Sequence, residues 1–303
     1  MGKVTLIGGS GNVAREVIDA ILKRGKHNVM ICSRKSIRPV DLPPVVQWAV
    51  VDYSDHVSLV SVFRGTDTVL SFVTGMDAYS GFQVEKQAID AAIEAGVQRY
   101  APSQWAARSD SGITHYAFKD KVLQYTLFQP GFFTDYLAFP HCTAPHFHNM
   151  QMMFDFQNRR AIIISGSEDA PITLTTVSDT ALVVAAALDY AGPWPEVGGI
   201  CGTQTTIKQI LTLGENLRGQ WDVTRIDASD VQNDRFVAPW YPLVDHPSLS
   251  EEMREHASKM VLREYLLSSL RGGWSVSNEW NKLLNMELTS MEEYLATVWQ
   301  GKD

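Results

Sequence analysis

The sequence predicts an α/β fold with a doubly wound parallel sheet, followed by a smaller and mostly helical second domain. Apolar runs of strand length alternate with amphipathic helical patterns up to Pro130. The first run leads directly into a glycine-rich turn and a helix. Beyond Pro130 the alternation stops, and Phe, His, Met and Trp become frequent. Regular alternation places helices on both faces of a parallel sheet and ligands at the carboxyl ends of its strands.

The predicted elements follow from these runs and from their terminal residues. Helix ends are marked by Gly25 and Gly96, and capping residues are expected at Ser178, Ser248 and Ser290. The predicted strands are residues 4–7, 29–32, 46–51, 68–73, 98–101 and 125–129. The predicted helices are residues 13–24, 57–63, 82–95 and 178–190, one that is capped by Ser248 and reaches Arg271, and a short one after Ser290.

Gly8, Gly9 and Gly11 form a turn between the first strand and the first helix. Such a turn lets the backbone approach a pyrophosphate, and the free N–H groups of the helix N-terminus favour its negative charge. A lone glycine pattern is weak evidence, but the strand before it and the helix after it favour a dinucleotide site of the Rossmann type.

Arg34 and Lys35 follow the second predicted strand, about 20 residues beyond the glycines. An NAD-preferring site usually has Asp or Glu at this point, where it binds the ribose hydroxyls. Two cations suit a 2′-phosphate instead, through charge-assisted hydrogen bonds. The sequence therefore predicts NADP(H), against the alternative of two solvated surface charges.

Composition narrows the class of protein. The net charge of −8 argues against a nucleic-acid partner or an anionic membrane surface, and three distant cysteines argue against a disulfide framework. The first strand begins too early for a secretory signal, and no run approaches the length of a membrane helix. We expect a cytoplasmic protein, a monomer or homodimer, with a small-molecule substrate.

The chain resembles the NmrA-like and isoflavone-reductase-like group of atypical short-chain dehydrogenases, and its fungal members most closely. The matching segments are GGSGN at 8–12, DYSD at 52–55, EAGVQRYAPS at 94–103, FQPGFF at 128–133, MFDFQNRR at 153–160 and WYPLVDHP at 240–247. The group includes reductases of aromatic natural products and regulators that bind the dinucleotide without turning it over.

The resemblance implies a set of site residues. The family's reductases use a lysine in a Lys-x-x-Val setting, which Lys119 and Val122 match, and Tyr116 is a candidate to orient the substrate. Two departures from the family are Gln104, where an acid is frequent, and a segment between Ser103 and Tyr125 that is about a dozen residues shorter. The predicted cofactor residues are Gly8, Ser10, Gly11, Asn12, Val13, Ser33, Arg34, Lys35, Asp52, Thr74, Gly75, Ser103, Pro130 and Phe132.

The Tyr-x-x-x-Lys pair of ordinary short-chain dehydrogenases is absent, because Tyr116 and Lys119 are three apart. A lysine alone can act as general acid if burial lowers its pKa, whereas a solvated helix lysine is the alternative.

The segment after Pro130 contains His141, Cys142, His146 and His148, but their spacing does not favour a metal site. We expect substrate contacts instead, with core packing as the alternative. The predicted substrate residues are Phe133, Tyr136, His141, Met152 and Phe154.

Two functions remain open at this point. The first is an NADPH-dependent reductase of a small apolar or aromatic metabolite, with Lys119 supplying or positioning a proton. The second is an NADP(H)-sensing regulatory protein without turnover. In either case residues 1–133 form the dinucleotide-binding domain, to which part of 170–203 returns, and residues 134–303 form a lid that binds substrate.

Overall fold

A six-stranded parallel sheet forms the centre of the first half of the molecule. The computed structural model describes residues 2–73, 78–108, 124–243 and 251–302, apart from the side chains of 78–80 and 252. The sheet strands are β1 (Gly2–Ile7), β2 (His27–Ser33), β3 (Gln47–Val50), β4 (Thr68–Ser71), β5 (Arg99–Ala101) and β6 (Gln124–Tyr125). Their order is β3-β2-β1-β4-β5-β6, and every neighbouring pair is parallel.

Helices cover both faces of this sheet. In the first half they are α1 (Asn12–Arg24), α2 (His56–Phe63) and α3 (Ala78–Glu94). Apolar side chains of α2 and α3 form one core layer, and those of α1 form the layer on the opposite face. The predicted doubly wound α/β fold is therefore confirmed.

Short-range signals at Gly25 and Ser290 mark helix ends as predicted, while Ser248, the predicted cap of another helix, lies outside the described residues. Gly25 ends α1 with φ at 66° and donates its N–H to the carbonyls of Ile21 and Leu22, which is the left-handed ending that glycine permits at low cost. At the other end of the chain, Ser290 accepts a hydrogen bond from the N–H of Glu293 and caps the last helix.

The second half is rich in helices and also contains short strands. Its strands are β7 (Leu127–Gln129), β8 (Phe132–Phe133), β9 (Phe154–Asp155), β10 (Arg160–Ile164), β11 (Pro171–Thr175), β12 (Val197–Gly199), β13 (Thr203–Thr206) and β14 (Asp222–Ile226). Its helices are a 3-10 turn at Thr134–Ala138, α4 (Val177–Ala187), α5 (Ile207–Arg218), α6 (Ala228–Gln232), α7 (Glu251–Leu270), α8 (Glu279–Leu284) and α9 (Met291–Trp299).

The sixth predicted strand, residues 125–129, is divided in two. Its first part is β6, which pairs with β5, and its second part is β7, which pairs in parallel with β12. Thr126 separates them, and its hydroxyl accepts a hydrogen bond from the indole of Trp280. The new partner strand, β12, is distant in sequence. The local sequence pattern therefore does not show that the strand divides.

The helix predicted to begin at Ser178 starts one residue earlier and is shorter than expected. Thr176 caps it, with its hydroxyl accepting the N–H of Asp179 at 3.0 Å. α4 packs against α1 and shares its core layer. The domain boundary at residue 133 stays a prediction.

A separate apolar core fills the second half. It joins β10, α7 and α9 and contains the fully buried rings of Phe154, Phe156 and Trp299. In the described ranges, no helix has the length and apolar character needed to cross a membrane.

Candidate functional site

A cleft of about 240 Å³ lies at the carboxyl ends of β1, β2, β3 and β4. In parallel α/β sheets this edge is where ligands bind. The lining residues are Gly8, Ser10, Gly11, Ser33, Arg34, Lys35, Tyr53, Phe72 and Val73. Six of these were predicted cofactor residues, and the last three were not.

Two glycines of the turn after β1 are required by its geometry. Gly8 has φ at +71°, and a Cβ built there would lie 2.7 Å from the backbone oxygen of Phe72. A Cβ on Gly9 would lie 2.9 Å from a side-chain carbon of Ile31. These residues therefore serve the close approach of the turn to the neighbouring strands.

Gly11 differs from the other two because the described residues leave space around it. Among the described residues, the atom nearest to a Cβ at this position would be the backbone oxygen of Gly8, 3.5 Å away, and the φ of −77° suits any residue. Gly11 caps α1 without a side chain, so the first N–H groups of the helix face the turn without a side-chain cap from this residue. An open space beside these donors fits a phosphate group.

The positive charges of the site come from the segment after β2. Arg34 and Lys35 are both exposed, and the Ser33 hydroxyl accepts the N–H of Lys35 at 3.1 Å. Asp52 lies at the end of β3 and accepts two hydrogen bonds from Ser54. These bonds, with a smaller contribution from the charge of Arg34, lower the pKa of Asp52.

Tyr53 and Phe72 complete the cleft and were missed from the sequence. Phe72 directly follows β4, and Tyr53 lies a short turn beyond β3, so the rule that identified Arg34 beyond β2 extends to them. Phe72 stacks on Trp105, with ring centroids 4.3 Å apart, and the Trp105 indole donates to the carbonyl of Ser71 at 2.8 Å.

The buried carboxyl group of Glu85 lies next to the ends of β4 and β5. Glu85 accepts hydrogen bonds from the hydroxyls of Ser71 at 2.8 Å and Tyr100 at 2.7 Å, and from the N–H of Ser103 at 3.5 Å. Burial raises the pKa of Glu85, against the lowering effect of these three donors. Ser103, a predicted cofactor residue, is thus held next to β4.

Four predicted site residues lie outside the described residues: Thr74, Gly75, Tyr116 and Lys119. The short segment noted between Ser103 and Tyr125 falls largely in the same undescribed range, 109–123.

Pro130 and Phe132, predicted at the cofactor, are both buried. The ring of Phe132 makes edge contacts with Phe154 and Trp274 inside the core of the second half. Met152 and Phe154, predicted at the substrate, have 1% and 0% of their surface exposed in that same core. Their contacts match the core-packing alternative.

Phe133 and Tyr136 lie closer to the glycine turn. Phe133 belongs to a small apolar cluster with Phe147 and Val177, against which Val13 and Tyr136 pack. Val13 is the second residue of α1, while its neighbour Asn12 is exposed. The start of the second half therefore contacts the helix that begins at the turn.

The histidines after Pro130 have separate partners. His146 contacts Asp19 of α1 at 2.8 Å, His141 packs on Trp299 with ring centroids 4.9 Å apart, and His148 is exposed. Burial lowers the pKa of His141, with a further contribution from nearby cations. Within the described ranges, no three His, Cys, Asp or Glu side chains form a group able to bind a metal.

The sheet order and the glycine-turn cleft define an α/β protein of the Rossmann type. The chain belongs to the NmrA-like family, whose model matches residues 1–216. The predicted family is thereby confirmed.

Known proteins resemble the chain along most of its length. Oxidoreductase BOA1 of Botryotinia fuckeliana is 26% identical over 236 residues, which are 73% of this chain and 77% of that protein. An NADPH-dependent quinone oxidoreductase from Escherichia coli, solved with NADPH, superposes with a TM-score of 0.70 at 18% identity, covering 98% of this chain and all of that one. An isoflavone reductase superposes with a TM-score of 0.69 at 18% identity, covering 98% and 99%.

Proposed function

We propose that the protein is an NADPH-dependent reductase of a small apolar or aromatic metabolite. One observation carries the proposal: the cleft combines the glycine turn with Arg34 and Lys35 at the end of β2, where an NAD-preferring site has an acid. The described residues fit the cofactor, since the space beside Gly11 is open and adjoins the N-terminus of α1.

Relatives support the reductase over a binding protein. The fungal relative is named an oxidoreductase, and the two solved structures are a quinone oxidoreductase and an isoflavone reductase. These names favour turnover of a small molecule.

We also propose that the protein is cytoplasmic and that residues 134–303 cover the substrate.

The roles of the residues follow from their positions and from the family resemblance. The backbone at Gly8–Gly11 holds the diphosphate, and Arg34 and Lys35 hold the 2′-phosphate. The bound cofactor supplies a hydride. Lys119 donates or positions the proton, with Tyr116 orienting the substrate. Phe133 and Tyr136, which lie beside the first turn of α1, provide apolar contacts for the substrate.

Two measurements on the unmodified protein test this function. We expect NADPH to bind at least about tenfold more tightly than NADH in a fluorescence titration. We also expect NADPH oxidation, followed by absorbance, with members of a panel of quinones, enones and aromatic ketones. Equal affinities for the two dinucleotides contradict the assignment of the cofactor. Selective NADPH binding without oxidation across the panel favours the sensor.

A further inference from the structure

Tyr53 connects three parts of the cleft through one side chain. It follows Asp52 beyond β3 and is 6% exposed. Its hydroxyl donates to the carbonyl of Cys32 at 2.8 Å and accepts the N–H of Gly8 at 3.1 Å. Cys32 pairs with Ile7 across β2 and β1, so the hydroxyl joins the ends of two adjacent strands at the start of the glycine turn.

The ring of Tyr53 contacts the cation of the site. The guanidinium carbon of Arg34 lies 5.7 Å from the ring centroid, within the range of a cation–π contact. Arg34 is exposed, and among the described residues its guanidinium has no hydrogen bond or ion pair, although its charge acts on the carboxylate of Asp52. A long side chain without such restraint samples many rotamers, and ordering it on binding costs conformational entropy. A cation–π contact with the Tyr53 ring lowers this cost, because it favours one region for the guanidinium.

We propose that Tyr53 determines the specificity of the dinucleotide site, with its hydroxyl setting the glycine turn and its ring placing Arg34 for a 2′-phosphate. The inference rests on the proposed function and goes further, because it assigns two separable tasks to a residue outside the glycine turn and the basic segment. The hydroxyl serves every dinucleotide equally, since the pyrophosphate is common to all of them. The ring serves those with a 2′-phosphate.

The two tasks are separated by two substitutions and two probes. The probes are adenosine 2′,5′-bisphosphate and 5′-AMP, which differ by the 2′-phosphate, with each affinity measured by calorimetry. Tyr53→Phe retains the ring and removes the hydroxyl. We expect it to weaken both probes by the same factor, about fivefold, and to leave their affinity ratio unchanged. Tyr53→Leu removes the ring as well, and we expect it to lower the affinity ratio by a factor of about three relative to Tyr53→Phe.

Controls keep the outcomes distinct. Circular dichroism and thermal unfolding report whether each variant is folded, and Tyr53→Met replaces Tyr53→Leu if the latter does not fold. Tyr53→Phe is nearly isosteric with the unmodified residue, so it tests the role of the hydroxyl even if the Leu and Met variants do not fold. The inference is overturned if the ratio of the affinities for the bisphosphate and 5′-AMP falls in Tyr53→Phe. It is also overturned if this ratio is unchanged in folded Tyr53→Leu or Tyr53→Met. If the unmodified protein does not prefer the bisphosphate, the proposed cofactor itself is wrong.

Discussion

The carboxylate of Glu16, in α1, accepts a hydrogen bond of 2.6 Å from the backbone N–H of His146. The His146 ring also contacts Asp19, one turn further along the same helix. The segment after Pro130 is thus attached to the helix that begins at the glycine turn. Through this attachment the apolar cluster of Phe133 and Phe147 is held next to Val13.

The two contacts of His146 are expected to differ in strength. Glu16 is 7% exposed, so Glu16→Ala leaves a partly buried N–H without its acceptor and costs about 1–3 kcal/mol. His146→Ala removes a hydrogen bond between side chains that are 24% and 45% exposed. Screening by solvent limits the contribution of this contact to at most about 1 kcal/mol. Urea unfolding of both variants checks this order, and a larger loss for His146→Ala contradicts it.

Arg34→Ala is expected to remove most of the preference for NADPH over NADH, because it removes a charge-assisted hydrogen bond to the 2′-phosphate, about 1.4 kcal/mol or tenfold. Fluorescence titration of both dinucleotides measures the change. The matched control is Arg64→Ala, which makes the same change of charge. Arg64 precedes β4 and so lies near the amino ends of the strands, whereas the cleft is at their carboxyl ends. If both variants reduce the preference equally, the effect is long-range electrostatics and the contact is not specific.

Gly11→Val is expected to abolish dinucleotide binding and to leave the protein folded. Its side chain enters the open space beside the helix N-terminus, where the nearest atom of the described residues is 3.5 Å from the Cβ position. Gly8→Ala is the contrasting variant, because its φ of +71° and a contact of 2.7 Å predict loss of stability. Thermal unfolding with and without NADPH distinguishes the two. An unchanged NADPH-induced shift in Gly11→Val would place the cofactor elsewhere.

Lys119→Met is expected to reduce turnover by about a hundredfold to ten-thousandfold and to leave NADPH affinity nearly intact, as for loss of a general acid. The residue lies outside the described ranges, so this prediction depends on the family resemblance. Lys121→Met, two residues along the chain, is the matched control. Full activity of Lys119→Met would show that Lys119 is not the proton donor. The donor would then be Tyr116, a histidine of the second half or water.

Glu85 is expected to make stability depend on pH. Because burial raises its pKa in the folded state, the folded protein keeps a proton that the unfolded chain has already lost. The free energy of unfolding therefore falls as pH rises from the unfolded value of Glu to the folded one, by up to about 1.4 kcal/mol per unit. Glu85→Gln cannot ionise and loses this contribution. Urea unfolding between about pH 4 and 8 measures the difference, and a difference independent of pH contradicts the assignment.

Much of the fold and of the cleft was predictable because the signals are local. β1, β2 and β4 contain apolar runs, Gly25 and Ser290 mark helix ends within a few residues, and Arg34 follows β2 directly. In a parallel sheet with right-handed connections, these local signals place the glycine turn and Arg34 at one edge. Periodicity and capping depend on neighbours within one or two turns, which the sequence displays.

The tertiary structure alone decided which side chains meet across long separations. Tyr53 bonds to Gly8, Glu85 to Tyr100, and Thr126 to Trp280, 154 residues away. Phe132 is just as apolar as Phe133, yet its ring enters the core of the second half while Phe133 packs beside α1. Burial and hydrogen bonding depend on which residues the folded chain brings together. A pattern of residue types therefore identifies the end of a strand, but it does not identify the side chains that contact that end.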